Sequence, residues 1–263
     1  MSHPSQQEFI RLTSLFFKLS ELTDCKILEI GSYDVNGSVR SFLPQKNYIG
    51  VDLINGPGVD LVVNGEYLDF EDNSFDVVIS CEVLEHNPFW KEQVLEMYRV
   101  LKNNGLMIIT AASKGRLEHG TERVTPNSSP GSNSNGWNYY KNIFKEDMKM
   151  AIQNLSFNFK WIEYNHLSKD IYFIGEKGEK GEKGEKESKQ VLLLEDFSKF
   201  IKPVFKIKPS SESNKAEIIN FLMNPVFLLS NILSDKNFQN LAYYYQKLLF
   251  KIIKITKKLL NLK

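Results

Sequence analysis

The stretch ILEIGSYDVNGSVR, residues 27–40, opens on a short apolar run and reaches Gly31 directly after it. Such a run suits a strand buried on both faces of a parallel sheet, and the glycine allows a tight turn and a close approach to a ligand. The next strand-like run, Tyr48–Asp52, ends in an acid. An acid placed there can accept hydrogen bonds from both ribose hydroxyls. Together, in this order, Gly31 and Asp52 favour a nucleoside-containing ligand.

Further apolar runs extend this strand pattern along the chain. Three of them predict strands: Val59–Val63, Phe75–Ser80 and Leu106–Ala111. The segment Leu53–Gly58 is too short for a helical crossover, so we expect a peripheral third strand reached by a loop. Phe157–Tyr164 and Asp170–Ile174 are joined by a short segment, Asn165–Lys169, which predicts an antiparallel hairpin.

Two stretches with apolar residues at helical spacing, Gln6–Leu22 and Phe89–Lys102, predict amphipathic helices. Strands that alternate with helices indicate an α/β fold. We therefore predict a doubly wound, Rossmann-like, mostly parallel sheet that closes with a terminal antiparallel hairpin. In such sheets, ligands bind beyond the carboxyl ends of the strands.

The composition sets limits on the class of protein. The 263 residues predict one or two domains, and 42% apolar and 25% charged residues are typical of a globular protein. Two cysteines, Cys25 and Cys81, exclude a disulfide scaffold. No secretory signal is visible at the start, so we expect a cytoplasmic protein. The net charge of +1 argues against a general nucleic-acid binder.

The charge is unevenly distributed along the chain. Residues 190–263 contain 12 Lys and 5 acidic residues, whereas the preceding part is acidic. Four Gly-Glu-Lys triplets begin at Gly175, and this composition predicts a solvated linker. We therefore divide the chain into a domain at 1–175, a linker at 176–189 and a basic helical region at 190–263.

The C-terminal region predicts a basic amphipathic helix over Asn237–Leu262. Its apolar stripe contains Leu241, Tyr245, Leu248, Ile252, Ile255 and Leu259, and its basic face contains Lys247, Lys251, Lys254 and Lys258. Such a helix can lie on an anionic membrane, at the inner membrane face, or pack against another helix with its lysines in water. The apolar stretch Ile218–Leu233 is too short to span a bilayer.

The loop after the first strand decides between cofactor classes. A dinucleotide fingerprint needs G-x-G-x-x-G, but Tyr33 and Asn36 occupy the second and third glycine positions. A pyrophosphate cannot approach a tyrosine as closely as a glycine. The loop therefore favours a nucleoside ligand without a pyrophosphate, and disfavours a NAD-dependent oxidoreductase.

Four segments carry a specific resemblance. They are ILEIGSYDVNGSVR, YIGVDLINGPGVDLV, NGEYLDFEDNSFDVVISCEVLEH and RVLKNNGLMIITA, in this order and at fitting spacing. With the terminal hairpin, residues 5–175 resemble a class I S-adenosylmethionine-dependent methyltransferase of the small-molecule, type 11 kind. The resemblance implies S-adenosylmethionine as cofactor. It also implies a small-molecule or a glycan- or lipid-linked acceptor. We predict no metal site.

The resemblance also implies a set of cofactor-binding residues, with Asp52 on the ribose and Leu53 on the adenine. The full set is Glu29, Gly31, Ser32, Tyr33, Asp34, Gly37, Asp52, Leu53, Asn64, Gly65, Cys81 and Glu82. Asn64 stands where the family often has an acid that accepts the adenine amino group. Tyr33 departs from the glycine-rich form of the first motif.

His86 follows the fourth strand and is the candidate general base, because a histidine near neutrality suits proton transfer; contact with substrate alone stays open as the alternative. A long polar loop, Gly115–Gly136, follows the fifth strand and turns aromatic, and loops of this length are often functional. Trp90, His119, Trp137 and Tyr140 are the candidate substrate-contacting residues. A non-catalytic cofactor-binding or membrane-docking protein of the same fold is the alternative function.

Overall fold

The computed structural model describes residues 3–22, 24–178, 186–207 and 214–259. A seven-stranded sheet with the order β3-β2-β1-β4-β5-β7-β6 forms its centre. The strands are β1 Lys26–Ile30, β2 Asn47–Asp52, β3 Leu61–Val62, β4 Phe75–Cys81, β5 Leu101–Ala112, β6 Phe157–Asn165 and β7 Asp170–Lys177.

The sheet confirms the predicted fold class. Strands β1 to β5 pair in parallel, whereas β7 is antiparallel to both β5 and β6. β3 is a two-residue edge strand with exposed side chains, as the short segment before it predicts. β5 begins at Leu101, earlier than the predicted Leu106, and its first pairing with Phe75 precedes a register shift.

Seven α-helices are described. They are α1 Pro4–Phe16, α2 Trp90–Val100, α3 Pro130–Ser134, α4 Lys145–Ala151, α5 Lys186–Phe200, α6 Asn214–Leu229 and α7 Asp235–Leu259. α1 and α5 pack on one face of the sheet, and α2 and α4 on the other. α1 ends before the predicted Leu22, because Lys18 adopts a left-handed conformation with φ 52°. The connection from β1 to β2 contains only a 3-10 turn, Arg40–Phe42.

Each face of the sheet has its own hydrophobic core. On one face, β-strand residues such as Ile27 and Ile79 pack with Phe9 of α1. On the other, Leu28 and its neighbours pack with Met97 of α2. Alternate residues of β1 therefore point to opposite cores, as expected for a strand buried on both sides.

The helix that follows the predicted linker packs into the first of these cores. Phe197 of α5 is fully buried, with its ring centroid 5.4 Å from that of Trp161 and 5.2 Å from that of Phe16. α5 therefore packs against the sheet domain, and the predicted division at residue 190 stays a prediction. It covers the face on which the β1–β2 connection supplies no α-helix.

The predicted linker 176–189 also overlaps regular structure at both ends. Glu176 and Lys177 belong to β7, and the Lys177 ammonium donates hydrogen bonds to the carbonyls of Tyr98 and Leu101. Helix α5 begins at Lys186. The remaining linker residues, 179–185, lie outside the described residues.

Helices α6 and α7 form a pair that packs over the loop after β5. Met223 and Phe238 are buried between them and contact Leu117 of that loop. α7 confirms the predicted helix up to Leu259; residues 260–262 and the side chains of Lys258 and Leu259 lie outside the described part. Within the described residues, no helix is long and apolar enough to cross a membrane.

Candidate active site

A cleft opens at the carboxyl ends of β1, β2 and β4, where the strand order reverses between β1 and β4. It has about 600 Å³ of empty space, part of which is open to solvent. Eight of the predicted site residues line it: Gly31, Tyr33, Asp52, Leu53, Gly65, Glu82, His86 and Trp137. The position agrees with the general rule for ligand sites in open α/β sheets.

Gly31 is required at this turn for two reasons. Its φ of +79° lies in the left-handed region, which favours glycine. A Cβ atom built on it would lie 2.0 Å from the Cγ2 atom of Val83, just after β4. The ends of β1 and β4 therefore approach each other more closely than any side chain at position 31 allows.

The Asp52 carboxylate is held in a fixed orientation at the end of β2. Its oxygens accept hydrogen bonds from the backbone N–H groups of Tyr33, at 3.1 Å, and Leu53, at 2.7 Å. Burial raises the pKa of Asp52, and the backbone donors oppose that shift. The carboxylate can accept further hydrogen bonds from a ligand in the cleft.

The loop after β5 closes the cleft on the side of Asp52. Ser129, Pro130 and Gly131, at the start of α3, line it. A Cβ atom on Gly131 would lie 2.7 Å from Oδ1 of Asp52. Any ligand that reaches this carboxylate therefore contacts or displaces the start of α3.

Glu29 does not line the cleft, and its contact with the cofactor stays a prediction. Side chains alternate along a strand, so Glu29 points to the face opposite Leu28 and Ile30. It is buried there and accepts a hydrogen bond of 2.7 Å from the Tyr48 hydroxyl. Burial raises the pKa of Glu29 to about 7, against the opposing effect of the Tyr48 hydrogen bond.

Several other predicted residues also lie outside the walls of the cleft: Ser32, Asp34, Gly37, Asn64, Cys81, Trp90, His119 and Tyr140. The carboxylate of Asp34 accepts a hydrogen bond from the Gly37 N–H and so shapes the loop itself. Asn64 is exposed, and Cys81 and Trp90 are buried in opposite cores. These residues support the loop and the strands without reaching the cleft.

Sequence reasoning missed several residues that do line the cleft, among them Glu66, Asn87 and Gln93. Gln93 of α2 is buried, accepts a hydrogen bond from the Asn87 amide and donates one to the Ser80 hydroxyl. Glu66 lies two positions after the exposed Asn64. Its carboxylate could have identified it from the sequence, because the family often has an acid near position 64 that accepts the adenine amino group.

A buried polar cluster adjoins the cleft at the end of β4. We define it as Glu82, Glu85, His86, Arg116, His119, Tyr140 and Asp170. The His86 ring centroid lies 4.9 Å from that of His119 and 5.6 Å from that of Tyr140. The structure thus brings together four of the predicted residues, Glu82, His86, His119 and Tyr140, with Glu85.

Arg116 carries the positive charge of the polar cluster. Its guanidinium lies 3.2 Å from the carboxylate of Asp170 and 3.9 Å from that of Glu82. Burial opposes its charge, but Asp170 and Glu82 together hold the pKa of Arg116 above its usual range. One guanidinium therefore faces three buried carboxylates, including that of Glu85.

Several polar atoms of the cluster have no hydrogen-bond partner. Among the described residues, both carboxylate oxygens of Glu82 and of Glu85, and Nδ1 of His86, are buried without a hydrogen-bond partner. Glu82 also has a left-handed backbone, φ +56°, which is uncommon for a residue with a side chain. Unpartnered buried groups and backbone strain are both costly and tend to occur at functional sites.

Burial shifts the titration of the whole cluster. It raises the pKa of Glu82, with a further contribution from Glu85, and it raises the pKa of Glu85 itself. It lowers the pKa of His86 well below the usual range and that of His119 to about 3, which keeps both imidazoles neutral near pH 7. Perturbed titratable groups beside a cleft indicate a functional site.

The strand order, in which only β7 runs against the others, defines the class I methyltransferase fold. A family model described as a methyltransferase domain matches residues 38–109, a segment that includes Asp52, Glu82 and His86. Residues 38–109 thus match the methyltransferase-domain family, within a sheet of this fold. No curated protein matches the chain.

Solved structures of similar shape include the YcgJ protein of Bacillus subtilis, 15% identical, with 64% of this chain and 98% of that one covered and a TM-score of 0.43. Another is the 1,6-didemethyltoxoflavin-N1-methyltransferase of Burkholderia thailandensis, solved with 1,6-didemethyltoxoflavin and S-adenosylhomocysteine. It is 12% identical, with 64% of this chain and 79% of that one covered and a TM-score of 0.43.

Proposed function

We propose that this protein is an S-adenosylmethionine-dependent methyltransferase that acts on a small-molecule or a glycan- or lipid-linked acceptor. The observation that carries the proposal is the oriented carboxylate of Asp52 in the same cleft as Gly31. A carboxylate held in this way can accept hydrogen bonds from the two hydroxyls of a ribose. Glu66, on the same cleft, supplies a further carboxylate for the adenine amino group.

The residues of the cleft fit a nucleoside with a single cationic sulfur better than a dinucleotide. Tyr33 lines the cleft where a dinucleotide fold has a glycine. Between β1 and β2, where every residue is described, there is no α-helix whose N-terminus could hold a pyrophosphate. The carboxylates of Glu66 and Glu82 favour a ligand that carries positive charge.

The bound cofactor supplies an electrophilic methyl group, which a lone pair of the acceptor attacks while the carbon–sulfur bond breaks toward sulfur. The chain's own contribution is orientation, which can lower a barrier by roughly 7–11 kcal/mol. Tyr33, Asp52 and Leu53 hold the nucleoside end, and Glu82 and His86 face the other end of the cleft. His86 is neutral and can accept the proton that an acceptor loses.

Calorimetric titration tests the proposal directly. S-adenosylmethionine, S-adenosylhomocysteine and NAD are titrated in turn into the wild type and Asp52→Ala. We expect both sulfur nucleosides to bind the wild type and NAD not to bind. The affinity of Asp52→Ala should fall by roughly 10–100-fold, since a hydrogen bond to a charged group is worth about 1.5–3 kcal/mol.

Asp24→Ala is the matched control, because Asp24 is an exposed acid whose partner is the exposed Lys46. Its affinity should equal that of the wild type. Failure of both sulfur nucleosides to bind the wild type would contradict the proposal. Binding without any methylated product over a panel of acceptors would favour the non-catalytic alternative.

We also propose that α7 contacts an anionic membrane surface. Leu248, Ile252 and Ile255 share one face of this helix, and each is about half exposed, at 53%, 49% and 49%. The exposed lysines Lys247 and Lys251 lie on the neighbouring face, together with Lys254. An apolar stripe beside a row of cations suits the interface of a bilayer with anionic lipids.

Co-sedimentation with vesicles tests this contact. We expect binding to vesicles that contain phosphatidylglycerol and none to pure phosphatidylcholine. Substitution of Lys247, Lys251 and Lys254 by Gln should abolish the difference, whereas Gln at the exposed Lys91, Lys149 and Lys160 should preserve it. Equal behaviour with both vesicle types, or a dimer in solution that hides the apolar stripe, would contradict the proposal.

A further inference from the structure

Three side chains of the polar cluster converge with the spacing of a metal site. One ligand-capable atom each of Glu85, His86 and His119 lies within 4.8 Å of the other two. Glu85 and His86 come from the turn after β4, whereas His119 comes from the loop after β5. The site therefore requires both segments to be folded, which a purely local acidic cluster would not.

The hydrogen bond of His119 leaves one nitrogen of its ring available to bind a metal ion. Nδ1 of His119 lies 3.0 Å from the carbonyl oxygen of Leu117. A carbonyl only accepts, so Nδ1 carries the proton and Nε2 carries the lone pair. This arrangement, in which one ring nitrogen is fixed by a carbonyl, is typical of histidines that bind metals.

The second observation is the burial of unpartnered groups at the same point. Glu85 is fully buried and His86 is 4% exposed. Within the described chain, both carboxylate oxygens of Glu85 and Nδ1 of His86 have no hydrogen-bond partner. Buried polar groups without partners are costly, and a bound ion would compensate that cost.

The charge balance of the cluster favours a cation. Arg116 is engaged by Asp170 at 3.2 Å, which leaves the carboxylates of Glu82 and Glu85 to be compensated. Arg116 reaches Glu82 only at 3.9 Å. A divalent ion would add positive charge beside two carboxylates that share one guanidinium with Asp170.

We propose that Glu85, His86 and His119 bind a divalent transition-metal ion. Two imidazoles and one carboxylate suit ions such as Mn²⁺, Fe²⁺, Co²⁺ or Zn²⁺ better than Mg²⁺ or Ca²⁺, which prefer oxygen ligands alone. Three protein ligands leave coordination positions open, and His86 and the adjacent Glu82 line the cleft.

The use of the ion rests on the proposed function: an oxygen atom of the methyl acceptor would take an open position. A hydroxyl bound to such an ion loses its proton more readily than a free one, and that proton would pass to water in the cleft, part of which is open to solvent. His86 would then act as a ligand in place of the general base predicted from the sequence. The acceptor class would accordingly be a hydroxyl compound.

Metal binding by the full-length, tag-free chain tests the proposal without any acceptor. After treatment with a chelator, the protein is dialysed against Mn²⁺, Co²⁺, Zn²⁺ and Mg²⁺ separately, and bound metal is measured. We expect one transition-metal ion per chain. Affinity should fall at least about 100-fold in His86→Ala, His119→Ala and Glu85→Gln, because loss of even an outer partner costs 10–100-fold.

His166→Ala is the matched control, because His166 is exposed and its ring packs on Tyr164, away from the cluster. It should bind metal as the wild type does. Circular dichroism in chelator checks that each variant folds, and the conservative Glu85→Gln keeps the shape of the side chain. The electron paramagnetic resonance spectrum of Mn²⁺ should also change when the ion is added to the wild type. It should not change when the ion is added to His86→Ala, His119→Ala or Glu85→Gln.

No stoichiometric binding of any transition-metal ion by the wild type would overturn the proposal. Equal binding by the wild type and the three cluster variants would overturn it as well. Titration of S-adenosylhomocysteine in chelator separates the two proposals. Loss of metal binding with intact nucleoside binding leaves the proposed function standing, and the reverse result leaves only the metal site.

Discussion

The cleft has two walls that differ in how their polar groups are paired: the β1–β2 wall, with Gly31 and Asp52, and the β4 wall, with Glu82 and His86. On the β1–β2 wall, both carboxylates are matched within the protein: Asp52 has two backbone donors, and Glu29 behind it has the Tyr48 hydroxyl. On the β4 wall, Glu82 and Glu85 are more deeply buried than Asp52 and have no hydrogen-bond partners among the described residues. The carboxylates of the first wall have hydrogen-bond donors within the protein, whereas those of the second wall can still bind a metal ion or an acceptor.

The walls also differ in what supports them. Backbone N–H groups next to the ends of β1 and β2 hold the Asp52 carboxylate on the β1–β2 wall. The polar cluster depends on distant segments, because the Arg116 carbonyl accepts hydrogen bonds from Asn142 and from Gln239 of α7. The C-terminal helices therefore contribute to the geometry of the active-site side on which the acceptor is expected.

The largest effect should come from Arg116→Ala, which removes the guanidinium from among the buried carboxylates. Breaking a buried ion pair typically costs about 3–5 kcal/mol, because an uncompensated charge is left behind. We expect a loss of this size in the free energy of unfolding, measured with urea in the presence of chelator.

The control for this change is Arg11→Ala, whose partner Glu8 lies on the surface of α1. A surface pair contributes at most about 1 kcal/mol. Equal losses in the two variants would show that the cluster is no more tightly coupled than a surface salt bridge.

Gly31→Ala should produce the next largest effect, this time on the β1–β2 wall. The new Cβ atom would overlap Val83, and overpacking costs typically about 1–3 kcal/mol in addition to the strained backbone. We expect lower stability and weaker binding of S-adenosylhomocysteine, measured by thermal unfolding and calorimetry.

Gly136→Ala is the control that separates the cost of backbone strain from the cost of atomic overlap in Gly31→Ala. Gly136 also has a positive φ, of +75°, but nothing lies within 4 Å of the position of its Cβ. Its substitution should cost only the backbone strain, roughly 1–2 kcal/mol, and leave nucleoside binding intact. An equally large loss of binding would remove the role assigned to the contact between Gly31 and Val83.

The contrast between the walls also explains which parts of the structure could be predicted. Gly31, Asp52 and the strands around them follow from local patterns, since a strand, its turn and its terminal acid are adjacent in sequence. Glu29 was assigned to the cofactor from its place in the motif, two residues before Gly31. The alternation of side chains along β1, with Ile30 and Gly31 at the cleft, would have placed Glu29 on the other face.

The polar cluster could not be predicted, because it joins segments that are far apart in sequence. Glu85 and His119 meet only when the loop after β5 folds back over the turn after β4. The packing of Phe197 could not be predicted either, because its partners are also far away in sequence. Composition indicated a linker before it, and nothing in the local sequence shows that α5 returns to the core beside Trp161.

A third prediction uses pH to compare the buried glutamates of the two walls. The pKa of Glu29 is raised to about 7 in the folded protein, above that of the unfolded chain. The folded state thus retains a proton that the unfolded state loses, and stability should fall as pH rises from about 4.5 to 7. Glu29→Gln should flatten this part of the stability profile, measured by urea unfolding at several pH values.

Tyr48→Phe is the companion variant, because it removes the hydroxyl that bonds the Glu29 carboxylate. Burial then acts unopposed, so the decline in stability should extend to higher pH than in the wild type. A profile that keeps its slope in Glu29→Gln would assign the pH dependence to the polar cluster instead.

The smallest effect should come from Asn142→Ala, which tests how far α7 supports the polar cluster. Asn142 is fully buried, and its amide donates hydrogen bonds to the Arg116 carbonyl and to Asp235 of α7. Its loss leaves buried acceptors without donors, at a cost of about 1–3 kcal/mol. Hydrogen exchange should accelerate in the loop after β5 and in α7, while β1 and β2 remain protected. Asn138→Ala, at an exposed position with a partner in Glu122, should leave both walls unchanged. Faster exchange in β1 as well would mean that the two walls are a single cooperative unit.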